Sequence, residues 1–158
     1  MKNQRVDPKM TIREYTRSHR EVILQLFRLN TPRYFSITEE SDFIDYLENH
    51  AGHFFIVESR GVIAGCGGYN LFPEQADARI SWDIFHPDFQ GRGLGSALVR
   101  FRVDKLKAVP GIKTITVRTS QLVYPFYQKF GFELKEVVKD YWAVGFDLYR
   151  MVLEIRTS

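Results

Sequence analysis

Two hydrophobic patterns take turns along most of the chain, one of period two and one at helical spacing. Apolar residues at every second position predict a strand, and apolar residues at i, i+3 and i+4 predict a helix. The resulting order is β-α-α-β-β-β-α-β-α-β-β. Strands are predicted at 10–15, 53–58, 62–72, 78–85, 112–117, 132–140 and 148–155, and helices at 18–30, 38–50, 94–107 and 124–130.

Local signals support several of these boundaries. Ser18 and Glu21 stand at capping-box spacing before an apolar face, which predicts the start of the first helix. Ser59-Arg60-Gly61 separates two strand patterns and predicts a hairpin. Glycines within 65–68 predict a bulge or a close approach of backbone in the following strand. We therefore expect an α/β or α+β fold with one sheet and helices on both faces.

Composition narrows the class of protein. The 158 residues suit a single domain over 1–158, and 22 basic against 19 acidic residues give a net charge of +3. That charge is too evenly spread for a nucleic-acid-binding face, although it permits a small anionic ligand. No signal core or membrane span is recognisable, so we expect a cytoplasmic protein with no membrane partner. Cys66 is the only cysteine, which excludes an internal disulfide and predicts a packing role.

The stretch HPDFQGRGLGSALVR, residues 86–100, places three glycines directly before a predicted helix. A helix N-terminus has N–H groups without intrahelical partners and a positive dipole, so it can bind a diphosphate. Glycine lets the main chain approach such a ligand because it lacks a Cβ. The alternative is a tight packing turn. The spacing fits neither a Walker loop, which ends in Gly-Lys-Ser/Thr, nor a G-x-G-x-x-G dinucleotide fingerprint.

Two motifs in this half of the chain resemble those of the GCN5-related N-acetyltransferases. Residues 90–95, QGRGLG, match the family's Q/R-x-x-G-x-G/A loop, and IFHP before them matches the end of its fourth strand. Residues 125–133, PFYQKFGFE, are similar to the family's FYEKLGF signature, and Tyr127 lies 37 positions after Gln90. The resemblance in element order covers roughly residues 10–155, with the sharp motifs confined to 80–133.

The resemblance implies both a fold and a donor. The fold would be a mixed, mostly antiparallel sheet of about seven strands whose fourth and fifth strands splay apart. The donor would be acetyl-CoA, with no metal. Its pantetheine arm would pair with the main chain at Ile84 and Phe85, and Ser120 would either bond that arm or cap the next helix. The pyrophosphate would be held by the loop, which comprises Gln90, Gly91, Arg92, Gly93, Leu94, Gly95 and Ser96.

Acetyl transfer to an amine needs a proton acceptor for the amine and a proton donor for the departing thiolate. Deprotonating an alkylamine of pKa near 10.4 at pH 7 costs about 4.6 kcal/mol. The resemblance implies that Tyr127 is the acid, the alternative being a core aromatic. Asp83 shares a face with Ser81 and Phe85 by period two. It is predicted to be either the base or half of a structural ion pair, and a water relay is a further route.

The acceptor would lie against an aromatic wall with few fixed charges, formed by Tyr34, Phe35, Tyr141, Trp142 and Phe146. Such a wall suits an amine of a small molecule or of a peptide N-terminus, and the sequence does not separate the two. The rival function is a non-catalytic acyl-CoA-binding or regulatory module. A homodimer is left open. The basic residues of the third helix are predicted to lie on its solvated side; they are Arg100, Arg102, Lys105 and Lys107.

Overall fold

The computed structural model describes residues 9–155, and a seven-stranded sheet of order β1-β2-β3-β4-β5-β7-β6 forms its centre. The strands are β1 Met10–Glu14, β2 Phe54–Ser59, β3 Val62–Phe72, β4 Asp77–Phe85, β5 Thr114–Thr119, β6 Glu133–Ala143 and β7 Phe146–Glu154. The helices are α1 Arg20–Leu29, α2 Glu40–Asn49, α3 Leu94–Lys107 and α4 Tyr124–Gln128. Both the predicted element order and the predicted strand number are confirmed.

β4 and β5 form the parallel pair of an otherwise antiparallel sheet. They pair only from Asp77–Thr114 to Ile80–Val117, although β4 continues to Phe85. Beyond Ile80 the two strands part, which confirms the predicted splay. The second half of β4 therefore has one edge without a neighbouring strand.

The sheet separates two hydrophobic cores. The core on the α1 and α2 side includes Phe27 and Ile84, and the core on the α3 and α4 side includes Leu98 and Met151. All four side chains are buried, and helices with one apolar face account for both layers. Within residues 9–155, every helix is too short or too polar to span a bilayer.

A bulge interrupts β4 where the strand enters the splay. The register shifts between Cys66 and Gly68, so that Gly67 of β3 stands opposite both Trp82 and Asp83. Trp82 has φ of 57°, a left-handed conformation that is costly for a tryptophan. A Cβ on Gly67 would collide with the Asp83 carboxylate. Both the bulge and the close approach predicted from the glycines are therefore present.

The bulge changes which side chains share a face of β4. Ser81 lies beside the Tyr46 hydroxyl of α2, and Trp82 packs against the same ring, with centroids 6.2 Å apart. Asp83 and Phe85 point to the other side, towards α3. The prediction that Asp83 shares a face with Ser81 is therefore wrong, because the extra residue breaks the period of two.

The start of α1 also differs from the predicted one. A 3-10 turn over Arg17–His19 precedes the helix, and Thr16 is its N-cap. The Thr16 N–H donates to His19 Nδ1 at 3.0 Å, which is the reciprocal bond of a capping box. Ser18 is therefore not the cap. The spacing of Ser18 and Glu21 fits the motif, but the chain turns two residues earlier.

Candidate functional site

A cavity of about 1170 Å³ opens where β4 and β5 part, and we call it the main cavity. It runs from the N-terminus of α3, past α4, to α1 and the β6–β7 hairpin. All the predicted site residues except Ile84 and Arg92 line it: Asp83, Phe85, Gln90, Gly91, Gly93, Leu94, Gly95, Ser96, Ser120 and Tyr127. The structure thus brings residues of both sequence motifs to one place.

The N-terminus of α3 has the features of an anion site. Gly93 is its N-cap with φ of 78°, and Gly91 before it has φ of 81°. These left-handed conformations favour glycine. The N-cap has no side chain to accept a bond, and the first turn carries no acidic residue. N–H groups of that turn therefore face the main cavity without a carboxylate to compete for them. Arg92 lies over the Phe89 ring, 5.1 Å from its centroid, and adds positive charge.

Gly95 has a different reason to be glycine. A Cβ there would lie 3.3 Å from the Phe126 ring and 3.6 Å from the Phe85 ring. Close packing of α3 against these rings therefore explains Gly95. A Cβ on Gly91, by contrast, would meet nothing within 4 Å. Packing thus explains the glycine at position 95, whereas packing does not explain Gly91, for which the ligand explanation is left.

The main chain of β4 presents Phe85 rather than Ile84 to the splay. The His86 N–H donates to Ala64 O of β3 at 2.7 Å. Successive residues of an antiparallel strand direct their main-chain groups to opposite sides, so those of Phe85 point away from β3. Its carbonyl accepts from Asn30 Nδ2 at 2.9 Å on that open side. By the same alternation, the main-chain groups of Ile84 face β3, and its buried side chain packs against α1 and α2.

Ser120 caps the turn before α4. Its hydroxyl accepts from the Leu122 N–H at 3.2 Å, and its carbonyl accepts from the Tyr124 N–H at 3.0 Å. The N-cap of α4 is Val123, so Ser120 closes the turn before the helix and does not cap the helix itself. The residue is buried yet lines the main cavity.

Three polar side chains from β4, α3 and α4 meet below the splay, and we call them the Asp83 cluster. Arg102 donates to both carboxylate oxygens of Asp83, at 2.6 Å to Oδ1 and 2.7 Å to Oδ2. The Tyr127 hydroxyl donates to Asp83 Oδ2 at 2.6 Å. Arg102 also donates to the carbonyls of Gly68 at 3.0 Å and Leu98 at 3.3 Å. Of the roles predicted for Asp83, the ion pair is the one that the structure shows.

Arg102 is fully buried, with 0% of its surface exposed. The prediction that it lies on the solvated side of the third helix is therefore wrong. Its position carried the signal, because Leu94, Leu98 and Arg102 follow one another at i+4 spacing and so share a helix face. The charge of the guanidinium masked that periodicity. Burial alone would lower the pKa of Arg102, but the charge and hydrogen bonds of Asp83 raise it.

The phenol of Tyr127 is buried and stays protonated over a wide pH range. Burial, followed by the nearby charge of Asp83, raises the pKa of Tyr127 well above its ordinary value, and Arg102 opposes this only in part. At neutral pH the hydroxyl is therefore a hydrogen-bond donor. Cys66 is also fully buried, and burial raises the pKa of its thiol, which agrees with the predicted packing role and not with a nucleophile.

The acceptor end of the main cavity is aromatic but carries more charge than predicted. Tyr34, Phe35, Trp142 and Phe146 line it, whereas Tyr141 lies outside. The charged side chains at this end are those of Glu39, Asp42, Arg79 and Arg118. They come from separate elements, so no sequence motif gathers them.

Glu39 is the buried acid of this end, with 7% of its surface exposed. Burial raises the pKa of its carboxyl, the Ser36 N–H opposes this through a bond of 2.8 Å, and the charge of Asp42 adds to the rise. Ser36 and Glu39 form a capping box, the S-x-x-E signal that sequence reasoning did not use here. A carboxyl of raised pKa takes up a proton more readily than an ordinary one.

The parted mixed sheet and the glycine-capped helix N-terminus at its opening are the features that the resemblance to an acetyltransferase family implied. The model of the acetyltransferase (GNAT) family matches residues 20–132, more than half of the chain. The chain belongs to the acetyltransferase (GNAT) family. By class it is an N-acetyltransferase.

Individual relatives agree with this assignment. A Bacillus subtilis (strain 168) protein, provisionally named a [ribosomal protein bS18]-alanine N-acetyltransferase, is 30% identical over 67% of this chain and 70% of its own. The amino-acid acetyltransferase of Mannheimia succiniciproducens is 29% identical over 59% of this chain, which spans only 21% of that protein.

Among solved structures, N-acetylglutamate synthase from Neisseria gonorrhoeae, complexed with coenzyme A and N-acetyl-glutamate, has the same fold. Its TM-score is 0.73 at 21% identity, and the match covers 94% of this chain and 35% of that one. Within residues 9–155, no group of three or more His, Cys, Asp or Glu side chains is placed to hold a metal ion.

Proposed function

We propose that the protein, acting as a single domain, transfers the acetyl group of acetyl-CoA directly to a primary amine of a small molecule or peptide. The observation that carries this proposal is the glycine-capped N-terminus of α3, which opens into the main cavity beside the free edge of β4. A cofactor diphosphate at the helix and a pantetheine arm along the strand edge would place the thioester in the cavity. The acceptor amine would enter from the aromatic end.

For the donor, the residues present suit a diphosphate and an amide-containing arm. The N–H groups of residues 91–96 would hold the diphosphate, with Gln90 and Arg92 at the mouth of the loop. The Phe85 N–H, directed away from β3, would pair with the arm in place of a missing strand. Ser120 would add a hydroxyl on the opposite wall, and the buried side chain of Ile84 supports the strand that presents Phe85.

For the leaving group, Tyr127 would act as the donor. Protonation of a thiolate of pKa about 8.5 by an ordinary phenol of pKa about 10 is uphill by about 2 kcal/mol. The raised pKa of Tyr127 makes full transfer costlier than that. Tyr127 therefore helps most by turning its hydroxyl from Asp83 to the sulfur as negative charge develops there. Asp83 and Arg102 are positioning residues that hold the phenol in place.

For the amine, Glu39 would accept the proton, directly or through water. Asp83 is less available to the amine because both its oxygens already accept bonds, two from Arg102 and one from Tyr127. Deprotonation of Glu39 produces the active base, so activity rises as pH rises through its pKa. Because that pKa is raised, the rise falls at a higher pH than an ordinary glutamate would give.

Glu39→Gln is expected to remove the acid limb of the pH profile, which is the rise of activity through the pKa of Glu39. It should also lower kcat/KM by roughly 10²–10⁴-fold. Glutamine keeps the capping box, so the fold should be preserved. Glu40→Gln, the neighbouring acid that pairs with Arg28 at 2.7 Å, is the matched control and should keep the wild-type pH profile. Profiles of kcat/KM between mildly acidic and alkaline pH test the assignment. An acid limb that persists in Glu39→Gln would assign the base to another group.

The function is tested with purified protein, acetyl-CoA and a panel of amines. Release of free thiol, together with acetylated product in the mass spectrum, is the expected result. Tight CoA binding without turnover of any amine would instead support the non-catalytic acyl-CoA-binding module. We also propose a cytoplasmic location, since acetyl-CoA is an intracellular metabolite, and no nucleic-acid partner, since the net charge of +3 is evenly spread along the sequence. The same preparation, passed over a sizing column, decides between a monomer and a homodimer.

The cradle itself is tested by Gly91→Ala. Gly91 has φ of 81°, and Gly111, which lies in the turn between α3 and β5, has φ of 84°. A Cβ added at either position would meet no atom within 4 Å. Alanine at either position should cost about the same stability, roughly 1–2 kcal/mol. Only Gly91→Ala should weaken CoA binding in calorimetry, by roughly 10- to 100-fold, since charge-assisted bonds are lost. Equal CoA affinity in the two variants would refute the cradle.

A further inference from the structure

A second, polar cavity of about 430 Å³ crosses the sheet beside the main cavity, and we call it the side cavity. It spans β4, β5, β7 and β6, and its charged residues are Asp77, Arg79, Arg118, Glu136 and Arg150. Ile115 and Val117 of β5 pack into the core on the α3 side. Arg118, one position further along, therefore points to the opposite face of the sheet, the face on which α1 and α2 lie.

The two cavities join at two arginines. Arg79 and Arg118 line both the main and the side cavity. Arg79 is held by the Phe72 ring, with its guanidinium carbon 4.2 Å from the ring centroid. Trp142 and Phe146, which form part of the aromatic acceptor wall, line the main cavity with them. A molecule lying against this wall would therefore reach both guanidinium groups.

The charges around this join do not cancel. Arg150 pairs with Glu136 at 3.1 Å, and Arg79 lies 3.8 Å from Asp77. Asp77 is also held by two threonine hydroxyls, at 2.8 and 3.0 Å. The three cations of the side cavity thus outnumber its two carboxylates.

Arg118 is the cation of this group without a carboxylate. Within residues 9–155, no acidic side chain lies within 4.0 Å of its guanidinium. Its partners are aromatic: the Tyr141 hydroxyl at 2.5 Å and the rings of Tyr141 and Trp142, with centroids 5.1 and 5.5 Å away. Arg118 also stands directly opposite Arg150 in the β5–β7 register, a like-charge pair that destabilises a sheet. Bound negative charge would relieve this repulsion.

We propose that Arg118, with Arg79 beside it, binds an oxyanion of the acceptor, so that the enzyme prefers amines that carry a carboxylate or phosphate group. This inference rests on the proposed function. A guanidinium presents its donors in a planar fork that matches a carboxylate or phosphate bidentately. The aromatic wall would hold the body of the acceptor, and the arginines would fix the end remote from the amine.

Matched acceptors test this subsite. 4-(Aminomethyl)benzoate is compared with 4-(aminomethyl)benzamide, and O-phosphoethanolamine with ethanolamine, so that each pair differs in the oxyanion. The expected result is a kcat/KM for one or both anionic members that exceeds its neutral partner by roughly 10- to 100-fold. The pair that shows the larger ratio distinguishes a carboxylate from a phosphate.

Arg118→Gln and Arg79→Gln should each reduce that ratio, mainly through KM, whereas Arg118→Lys should keep part of it. Arg13→Gln, which removes an exposed arginine from the distant edge strand β1, is the control and should keep the full ratio. Equal turnover of acids and amides would overturn the subsite while leaving acetyl transfer intact.

If no amine is acetylated, the proposed function fails, and calorimetry with CoA present decides the subsite separately. The probes are then 4-(aminomethyl)benzoate and O-phosphoethanolamine. Binding of either that Arg118→Gln weakens would support the subsite, and no binding of either, or binding that this variant leaves unchanged, would overturn it.

Discussion

Arg102→Met is expected to lower the free energy of unfolding by about 3–5 kcal/mol, because it leaves the Asp83 carboxylate without its counter-ion. Arg102 donates four hydrogen bonds, two to the Asp83 carboxylate and one each to the carbonyls of Leu98 and Gly68. Methionine can fill much of the volume but satisfies none of these groups. Urea denaturation followed by circular dichroism measures the loss.

Two further variants show whether the charge causes the loss. Arg100→Met removes an exposed guanidinium from the same helix and should change stability by no more than about 0.5 kcal/mol. Asp83→Asn combined with Arg102→Met removes both charges, and it should destabilise less than the sum of the two single variants. A loss below about 1 kcal/mol in Arg102→Met would show that the ion pair contributes little to stability.

The cluster also shows where sequence reasoning succeeds and where it stops. Period and spacing predicted the elements because a strand or helix with one buried face leaves a repeat that any chain must show. The glycines at 91 and 93 were readable for a similar reason, since a left-handed turn before a helix admits few other residues. The role of Tyr127 is predicted only from the resemblance of its motif to that of a family. Helical spacing alone does not distinguish a functional tyrosine from one that packs in a core.

What escaped prediction depends on contacts between distant segments. At the bulge, one residue of β3 stands opposite two residues of β4. As a result, the side chains of Ser81 and Asp83 lie on opposite faces of the sheet. The charge of Arg102 predicts a solvated position, whereas its i+4 spacing from Leu98 places it on the buried face of α3. Glu39 lies in the 3-10 turn before α2 and Arg118 lies in β5, and both line the main cavity. No local sequence pattern indicates that either residue is close to the site.

Tyr127→Phe is expected to lower kcat by roughly 10²–10⁴-fold while leaving CoA affinity near the wild-type value. The substitution removes the hydroxyl that faces Asp83 Oδ2 and keeps the ring, which packs edge-on against Phe126 and Phe132. Loss of a hydrogen bond to a charged group should cost about 1.5–3 kcal/mol of stability, so the variant should remain folded at ambient temperature. Single-turnover kinetics and calorimetry with CoA separate the chemical step from binding.

Tyr124→Phe is the matched control, because Tyr124 lies in the same helix and packs against Tyr149, with ring centroids 4.7 Å apart, and makes no bond to the Asp83 cluster. It should keep the wild-type kcat.

In the wild-type enzyme, the raised pKa of Tyr127 means that no alkaline loss of activity should appear near pH 10, where an ordinary phenol would ionise. A fall in kcat near that pH, abolished by Tyr127→Phe, would show that the phenol titrates normally. Undiminished kcat in Tyr127→Phe would instead confine Tyr127 to holding Asp83, since a donor to the leaving sulfur cannot be dispensable.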